Sequence, residues 1–143
     1  MSESTSPSGF PRSSRFLLDT NILIAAIDRD SVVLEMIARS DASYVPAPAL
    51  GELYYGAAYS KRWEENARIV GRLVAGRTVL AADADTALWY GQVKGDLRRR
   101  GRMIPENDVW IAALALQHDL TLATRDAHFA AAAGLRTVRW EGT

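Results

Sequence analysis

Four acids, Asp19, Glu52, Asp108 and Asp126, are placed where they could do chemistry together. Asp19 follows the apolar run Phe16-Leu17-Leu18 and precedes Thr20-Asn21. It therefore stands at the carboxyl end of a candidate strand, the edge at which open parallel sheets hold their ligands. Asp126 lies just past the fourth strand, Leu120 to Thr124. Asp108 belongs to the first turn of a helix spanning Glu106 to His118, and Glu52 to the first turns of a helix from about Ala49 to Ser60. Helices that run back antiparallel to the strands start at the strands' carboxyl edge, so all four acids are expected at one rim. Clustered carboxylates repel and do not all ionise cheaply unless a cation sits between them. With no cysteine and no His-x-x-x-His pair, the donors are oxygens and the matching cation is hard: Mg2+, with Mn2+ as a close substitute. Mg2+ is commonly completed by phosphate oxygens, and the chemistry such a site suits is phosphodiester hydrolysis.

Taken singly, each acid has an ordinary alternative. Asp19 and Asp126 could cap the helices that follow them. Glu52, beside Tyr54 and Tyr55, could lie on a solvated helix face, and Asp108 suits the dipole of any helix start. The argument for a site rests on their convergence.

The elements that must position these acids follow from the patterning. Residues 1–14, rich in Ser and Pro, hold little apolar surface to offset the entropy of ordering and are expected to form a flexible leader. Residues 15–143 are expected to form a single domain, within the size one core supports. After the strand ending at Asp19, Ile22 to Ile27 reads as helix or loop-to-helix, and Asp30 or Ser31 caps a helix from Val32 to Arg39. Ala42 to Val45 is a short strand stopped by Pro46. In the helix after it, Leu50, Leu53, Tyr54 and Ala57 follow the spacing of a buried stripe, with Glu52, Tyr55, Gly56 and Tyr59 on another face. Trp63 to Ala75 is an amphipathic surface helix ended by Gly76, and Thr78 to Leu80 a third strand. Asp83 caps a long helix carrying Trp89, Val93 and Leu97, terminated by Gly101. Val109 to Leu116 is apolar all round, which predicts a central helix. A short Ala-rich helix over Asp126 to Ala133, closed by Gly134, and a last strand from Arg136 to Trp140 complete the chain. Strands alternating with helices predict an α/β fold with a mostly parallel sheet covered on both faces.

Composition narrows the function classes. Zero cysteines exclude a disulfide framework and a thiolate metal site, and fit a reducing, cytoplasmic setting. The run Val109 to Leu116 is far short of the roughly 20 apolar residues of a membrane helix. With 17 basic and 17 acidic residues, net charge says nothing about a polyanionic partner, so local patterning must. Lys94, Arg98, Arg99, Arg100 and Arg102, opposed locally by Asp96, form the basic cluster of the chain. They suit a helix C-terminus, or they track the phosphates of a nucleic acid toward an acidic site. His128, two residues past Asp126, is placed for a proton transfer.

In their order and spacing, Leu17-Leu18-Asp19-Thr20-Asn21, Gly51-Glu52-Leu53-Tyr54-Tyr55-Gly56-Ala57, Asn107-Asp108-Val109-Trp110-Ile111-Ala112-Ala113 and Thr124-Arg125-Asp126 with His128-Phe129 resemble the PIN-domain ribonucleases, and within them the VapC-type toxins of toxin–antitoxin pairs. The resemblance runs from Phe16 to Trp140. It implies a three-layer α/β/α sandwich and Asp19, Glu52, Asp108 and Asp126 as a catalytic quartet binding Mg2+ or Mn2+. Thr20 and Thr124 would be small hydroxyl residues lining the site, and Asn21 a polar residue bracing a loop. It further implies a homodimer, an RNA substrate and a cognate antitoxin protein. Two other functions stay open on the residues alone. One is a catalytically silent binding protein of the same fold. The other is a phosphatase of the haloacid-dehalogenase type, which also starts with an acid after the first strand but normally has a second Asp where this chain has Asn21.

Overall fold

The computed structural model describes residues 14–142. The expected leader over residues 1–14 therefore lies, apart from Ser14, outside the described residues. Five strands form one sheet: β1 (Arg15–Leu18), β2 (Ala42–Pro46), β3 (Thr78–Leu80), β4 (Thr121–Ala123) and β5 (Thr137–Val138). Their spatial order is β3-β2-β1-β4-β5, and every pairing is parallel. The connecting helices are α1 (Thr20–Ile27), α2 (Ser31–Arg39), α3 (Ala47–Ala58), α4 (Trp63–Val74), α5 (Ala84–Arg99) and α6 (Glu106–Gln117), followed by a 3-10 turn at Ala127–Ala131.

This order contains a reversal. From β1 the chain steps outward through β2 to β3, then returns past β1 to β4 on its other side. Right-handed crossovers put α1 to α4 on one face and α5 and α6 on the other. In keeping with this, α1 packs on α2, α3 and α4, while α5 packs on α6 and α6 on β4. Strand β1, flanked on both sides and covered on both faces, buries Leu17 and Leu18 completely. The gap between the carboxyl ends of β1 and β4 is the switch point, where loops part in opposite directions and leave a crevice.

Most boundaries follow the expected signals. Asp30, rather than Ser31, caps α2, its Oδ1 accepting from the Val32 and Val33 amides at 3.0 and 3.2 Å. Asp83 and Thr86 form a reciprocal capping box on α5. Gly76 and Gly101, with φ of +77° and +66°, take the left-handed conformation just past α4 and α5 that a side chain would resist. Helix α6 is central, with Val109 and every residue from Ile111 to Ala115 fully buried.

Four expectations need correction. Helix α3 begins at Ala47, two residues early, because Pro48 falls in its first turn, where a missing N–H costs nothing. The α3 residues below the surface are Ala49, Leu53 and Ala57, with Leu50 partly buried, and Tyr54 is exposed. Small residues let α3 approach the layer beneath, and the Tyr54 ring is turned outward, its hydroxyl lying over Gly71 of α4. Finally, the Ala-rich segment after Asp126 is a 3-10 turn, and β5 has two residues, not five. Strand β5 is an edge strand paired only through Thr137 and Val138 to β4, and few ladder bonds extend it.

Candidate active site

Asp19 ends β1 under tight local constraint. Its amide donates to the Ala123 carbonyl at 3.0 Å, continuing the β1–β4 ladder by one residue. Its side chain then turns back to cap α1, Oδ1 accepting from the Thr20 amide at 2.8 Å. Oδ2 accepts from the Thr124 hydroxyl at 2.6 Å. The cap alternative is thus realised, and the same carboxylate also lines the cleft. Only 2% of Asp19 is exposed, and burial is the main reason its acidity is weakened, to a pKa of about 6. The Thr124 and Thr20 hydrogen bonds oppose that rise, and the charges of Asp108 and Asp126 add to it.

The other acids arrive at the same crevice from separate elements. Asp19, Glu52, Asp108 and Asp126 line one open cleft of about 350 Å3, together with Thr20, Asn21, Asn107 and His128. Asp108, in the first turn of α6, is also held above the usual carboxylate range, by burial first and by the charges of Glu52 and Asp126, against a hydrogen bond and charge from His128. Asp126 and His128 flank it: His128 Nε2 lies 2.6 Å from Asp108 Oδ2, and Nδ1 3.6 Å from Asp126 Oδ1. Potential ligand atoms of Asp108, Asp126 and His128 all fall within 4.8 Å of one another. Asp19 and Glu52 complete the cleft around this group.

The loop that carries Asp126 is fixed from three directions. The Thr124 hydroxyl, besides donating to Asp19, accepts from the Asp126 amide at 3.0 Å. Asn21 Oδ1 accepts from the Arg125 amide at 3.1 Å. The Arg125 guanidinium donates to the Trp140 carbonyl at 2.9 and 2.7 Å and to Asp30 Oδ2 at 3.0 Å. The loop-bracing contact of Asn21 is therefore present. The Thr20 hydroxyl is buried and without a hydrogen-bond partner among the described residues.

Two features were not anticipated from the sequence. Asn107 donates from Nδ2 to the Pro48 carbonyl at 2.8 Å and also to Glu52 Oε1, joining the first turns of α6 and α3. Its single sequence signal is an amide directly before Asp108. In the basic cluster, Lys94 is engaged with Glu106 at 2.8 Å and the Tyr90 hydroxyl at 3.0 Å. Arg100 is engaged with Asp96 at 2.6 Å and with the Ala131 carbonyl. Arg98 and Arg99, at the C-terminal end of α5, and Arg102, in the segment that leads to Pro105 on the cleft wall, remain exposed.

The donor set fits a divalent cation. Four carboxylates share one cleft, and two of them are pushed up in pKa partly by their neighbours' charge. That charge load is what a bound cation relieves.

Beside the cleft, and sharing Thr20, Ile24 and Glu52 with it, lies an apolar hollow of about 390 Å3 walled by Ile27, Leu53, Ala57 and Ile69. A third hollow, sharing Ile27 and Ile69, is rimmed by Arg29, Arg72 and Arg77. No helix among the described residues is long and apolar enough to cross a membrane.

Comparison with known proteins gives a consistent set of relatives. The family model described as PIN domain matches residues 16–135. The chain is 33% identical over 131 residues to ribonuclease VapC2 of Haemophilus influenzae, covering 88% of this chain and 98% of the relative. It is 33% identical over 129 residues to the tRNA(fMet)-specific endonuclease VapC of Shigella flexneri, again covering 88% and 98%. Among solved structures, the DNA-bound VapBC of Salmonella typhimurium superposes with a TM-score of 0.84 at 28% identity, over 89% of this chain and 98% of that one.

Proposed function

Because the chain belongs to the PIN-domain family, we propose that residues 15–143 act as one Mg2+-dependent endoribonuclease domain, the toxin of a toxin–antitoxin pair. Curated relatives named as ribonucleases, and solved neighbours that are toxin–antitoxin complexes, support the activity and its regulation. The observation that carries the chemistry is the meeting of Asp19, Glu52, Asp108 and Asp126 in one cleft at the switch point. Asp19 and Asp108 are the anchoring ligands, Glu52 and Asp126 the flanking ones. When bound, the cation supplies activation of a water and charge stabilisation at the scissile phosphate.

The chain's own residues do the rest. Thr124 and the Thr20 amide aim the two Asp19 oxygens, Asn107 aims Glu52, and Asn21 holds the 124–126 loop. Thr20 lines the cleft beside them. An acidic cleft repels RNA until the cation is in place, and Arg98, Arg99 and Arg102 provide phosphate contacts on the approach. Lys94 and Arg100, engaged in ion pairs, belong to that surface with less charge to spare. The apolar hollow and its arginine-rimmed neighbour suit an antitoxin segment with apolar side chains and carboxylates. Tyr55 and Tyr59, stacked at 6.1 Å and 70% and 83% exposed, give α3 an aromatic face that supports pairing of two copies.

Purified wild type and Asp19→Asn, each incubated with RNA in Mg2+ or in chelator, test this reading by mapping of new RNA ends. New ends are expected from wild type with Mg2+ alone. Silence of the wild type under every divalent metal would favour the binding protein. Turnover of a small phosphoester with an aspartyl-phosphate trapped on Asp19 would favour the phosphatase, although Asn21 is committed to the Arg125 amide.

A further inference from the structure

We propose that Arg125 is a positioning residue of the cation site: by tying the 124–126 loop to α2 and to the segment after β5, it sets where Asp126 stands relative to Asp19. The inference rests on the metal-dependent reading above and deepens it, assigning part of the site's geometry to groups outside the cleft.

Arg125 lies between Thr124 and Asp126, and its amide is held by Asn21 Oδ1 at 3.1 Å. Its guanidinium reaches two groups that do not line the cleft, Asp30 Oδ2 at 3.0 Å and the Trp140 carbonyl at 2.9 and 2.7 Å. Each tether is itself anchored. Asp30 Oδ1 is committed to the Val32 and Val33 amides at the start of α2, which fixes where Oδ2 can be. Trp140 is 2% exposed, and its ring meets that of Phe16 edge-on with centroids 4.8 Å apart. Phe16 belongs to β1, the strand that ends at Asp19. The clamp therefore refers the loop of Asp126 back to the strand of Asp19 by a path separate from the Thr124–Asp19 hydrogen bond. Trp140 also lies beyond residues 16–135, so the family match does not supply this contact.

Asp126 depends on such a clamp. Its side chain is 49% exposed and forms no cap, so its place in the cleft follows from its backbone. That backbone is held by the Thr124 hydroxyl at the Asp126 amide and, one residue earlier, by Arg125. An ion pair on open surface would contribute little. The Arg125 and Asp30 side chains, however, are only 25% and 31% exposed. One guanidinium serves acceptors 95 and 15 positions away in the chain, a double duty that its planar fork suits.

Calorimetric titration of the full-length protein with Mn2+ tests this without reference to catalysis. Arg125→Met is expected to bind Mn2+ about tenfold more weakly than wild type. Asp30→Asn, which keeps an acceptor for the α2 cap, is expected to lose affinity several-fold, and the double variant to be no weaker than Arg125→Met alone. In an Asp126→Ala background, Arg125→Met is expected to change the affinity by less than about twofold, because the ligand it places is gone. Denaturation curves set a temperature at which each variant is folded. Lower stability with wild-type Mn2+ affinity in both single variants would make Arg125 a residue of stability alone and overturn the inference. A loss of the same size in the Asp126→Ala background would overturn it too. Should Arg125→Met fail to fold, Asp30→Asn decides between the same results. If the wild type binds no divalent cation, the metal-dependent reading fails and the inference with it, a result distinct from wild-type binding that the variants leave unchanged.

Discussion

Asp19 and Asp126 follow neighbouring strands, β1 and β4, yet Asp19 is 2% exposed with both carboxylate oxygens hydrogen-bonded, whereas the Asp126 side chain is 49% exposed. The difference lies in what each loop does next. After β1 the chain turns at once into α1, so Asp19 must cap that helix while the β4 loop closes over it. After β4 the chain makes only a short 3-10 turn, and Asp126 has no side-chain cap to form. One acid is preorganised at the cost of burying a charge. Its neighbour keeps its solvation and can adjust to what binds.

That contrast can be broken most directly by charge removal. Asp19→Asn is expected to slow RNA cleavage by at least about 100-fold and Asp126→Asn by about tenfold, measured as single-turnover rates at saturating Mg2+. Equal losses would mean that the two positions are interchangeable and that burial confers no special role. Next in size is Thr124→Val, which deletes the donor to Asp19 and the acceptor for the Asp126 amide. Divalent affinity is expected to fall about 10- to 100-fold, with Thr124→Ser staying near wild type in a calorimetric titration.

The pH dependence of stability sharpens the comparison further. Asp19 has a folded pKa of about 6 against 3.8 for the free side chain. Between those values the folded state binds more protons than the unfolded one, so the metal-free protein loses stability as pH rises from about 4 to 6. Asp19→Asn is expected to flatten that slope in chemical denaturation, and saturating divalent cation to do the same in wild type. A wild-type slope of opposite sign in this window would contradict the burial account. The smallest effect concerns the basic turn. Reversing Arg98 and Arg99 to Glu is expected to weaken RNA binding several-fold and flatten its salt dependence, while Lys94→Gln, which mainly removes an exposed ion pair, leaves the slope near wild type.

The sequence carried the frame of the site because its acids abut strong local signals. Phe16-Leu17-Leu18 running into Asp19, and Pro105 opening the helix of Asp108, locate each residue along the chain, and alternation of strand and helix brings their ends to one edge. Other features depended on distances that no local pattern encodes. Asn107 meets Glu52 only because α3 and α6 start side by side. The Asp96 partner of Arg100 lies one helical turn away and was visible in the sequence, whereas the Glu106 partner of Lys94 and the Ala131 carbonyl that Arg100 also meets are remote in sequence. Tyr54 matched the helical period of the α3 core, but Ala49 and Ala57 set the phase, since a close approach of layers favours small side chains over a ring with a hydroxyl to solvate.

The Thr124–Asp19 hydrogen bond joins residues 105 positions apart, and this has a consequence for the order of assembly. Everything that aims Asp19 from the β4 side is made only after the outward run through β2 and β3 has been synthesised. A nascent chain that stops before β4 has its first strand exposed along one edge and its principal acid held by the helix cap alone. Closing so long a loop is among the slower steps of folding. On the proposed reading, nuclease activity appears only after β4 has been synthesised and has closed on β1, which gives an interval in which β1 to β3 are present as chain without an assembled site.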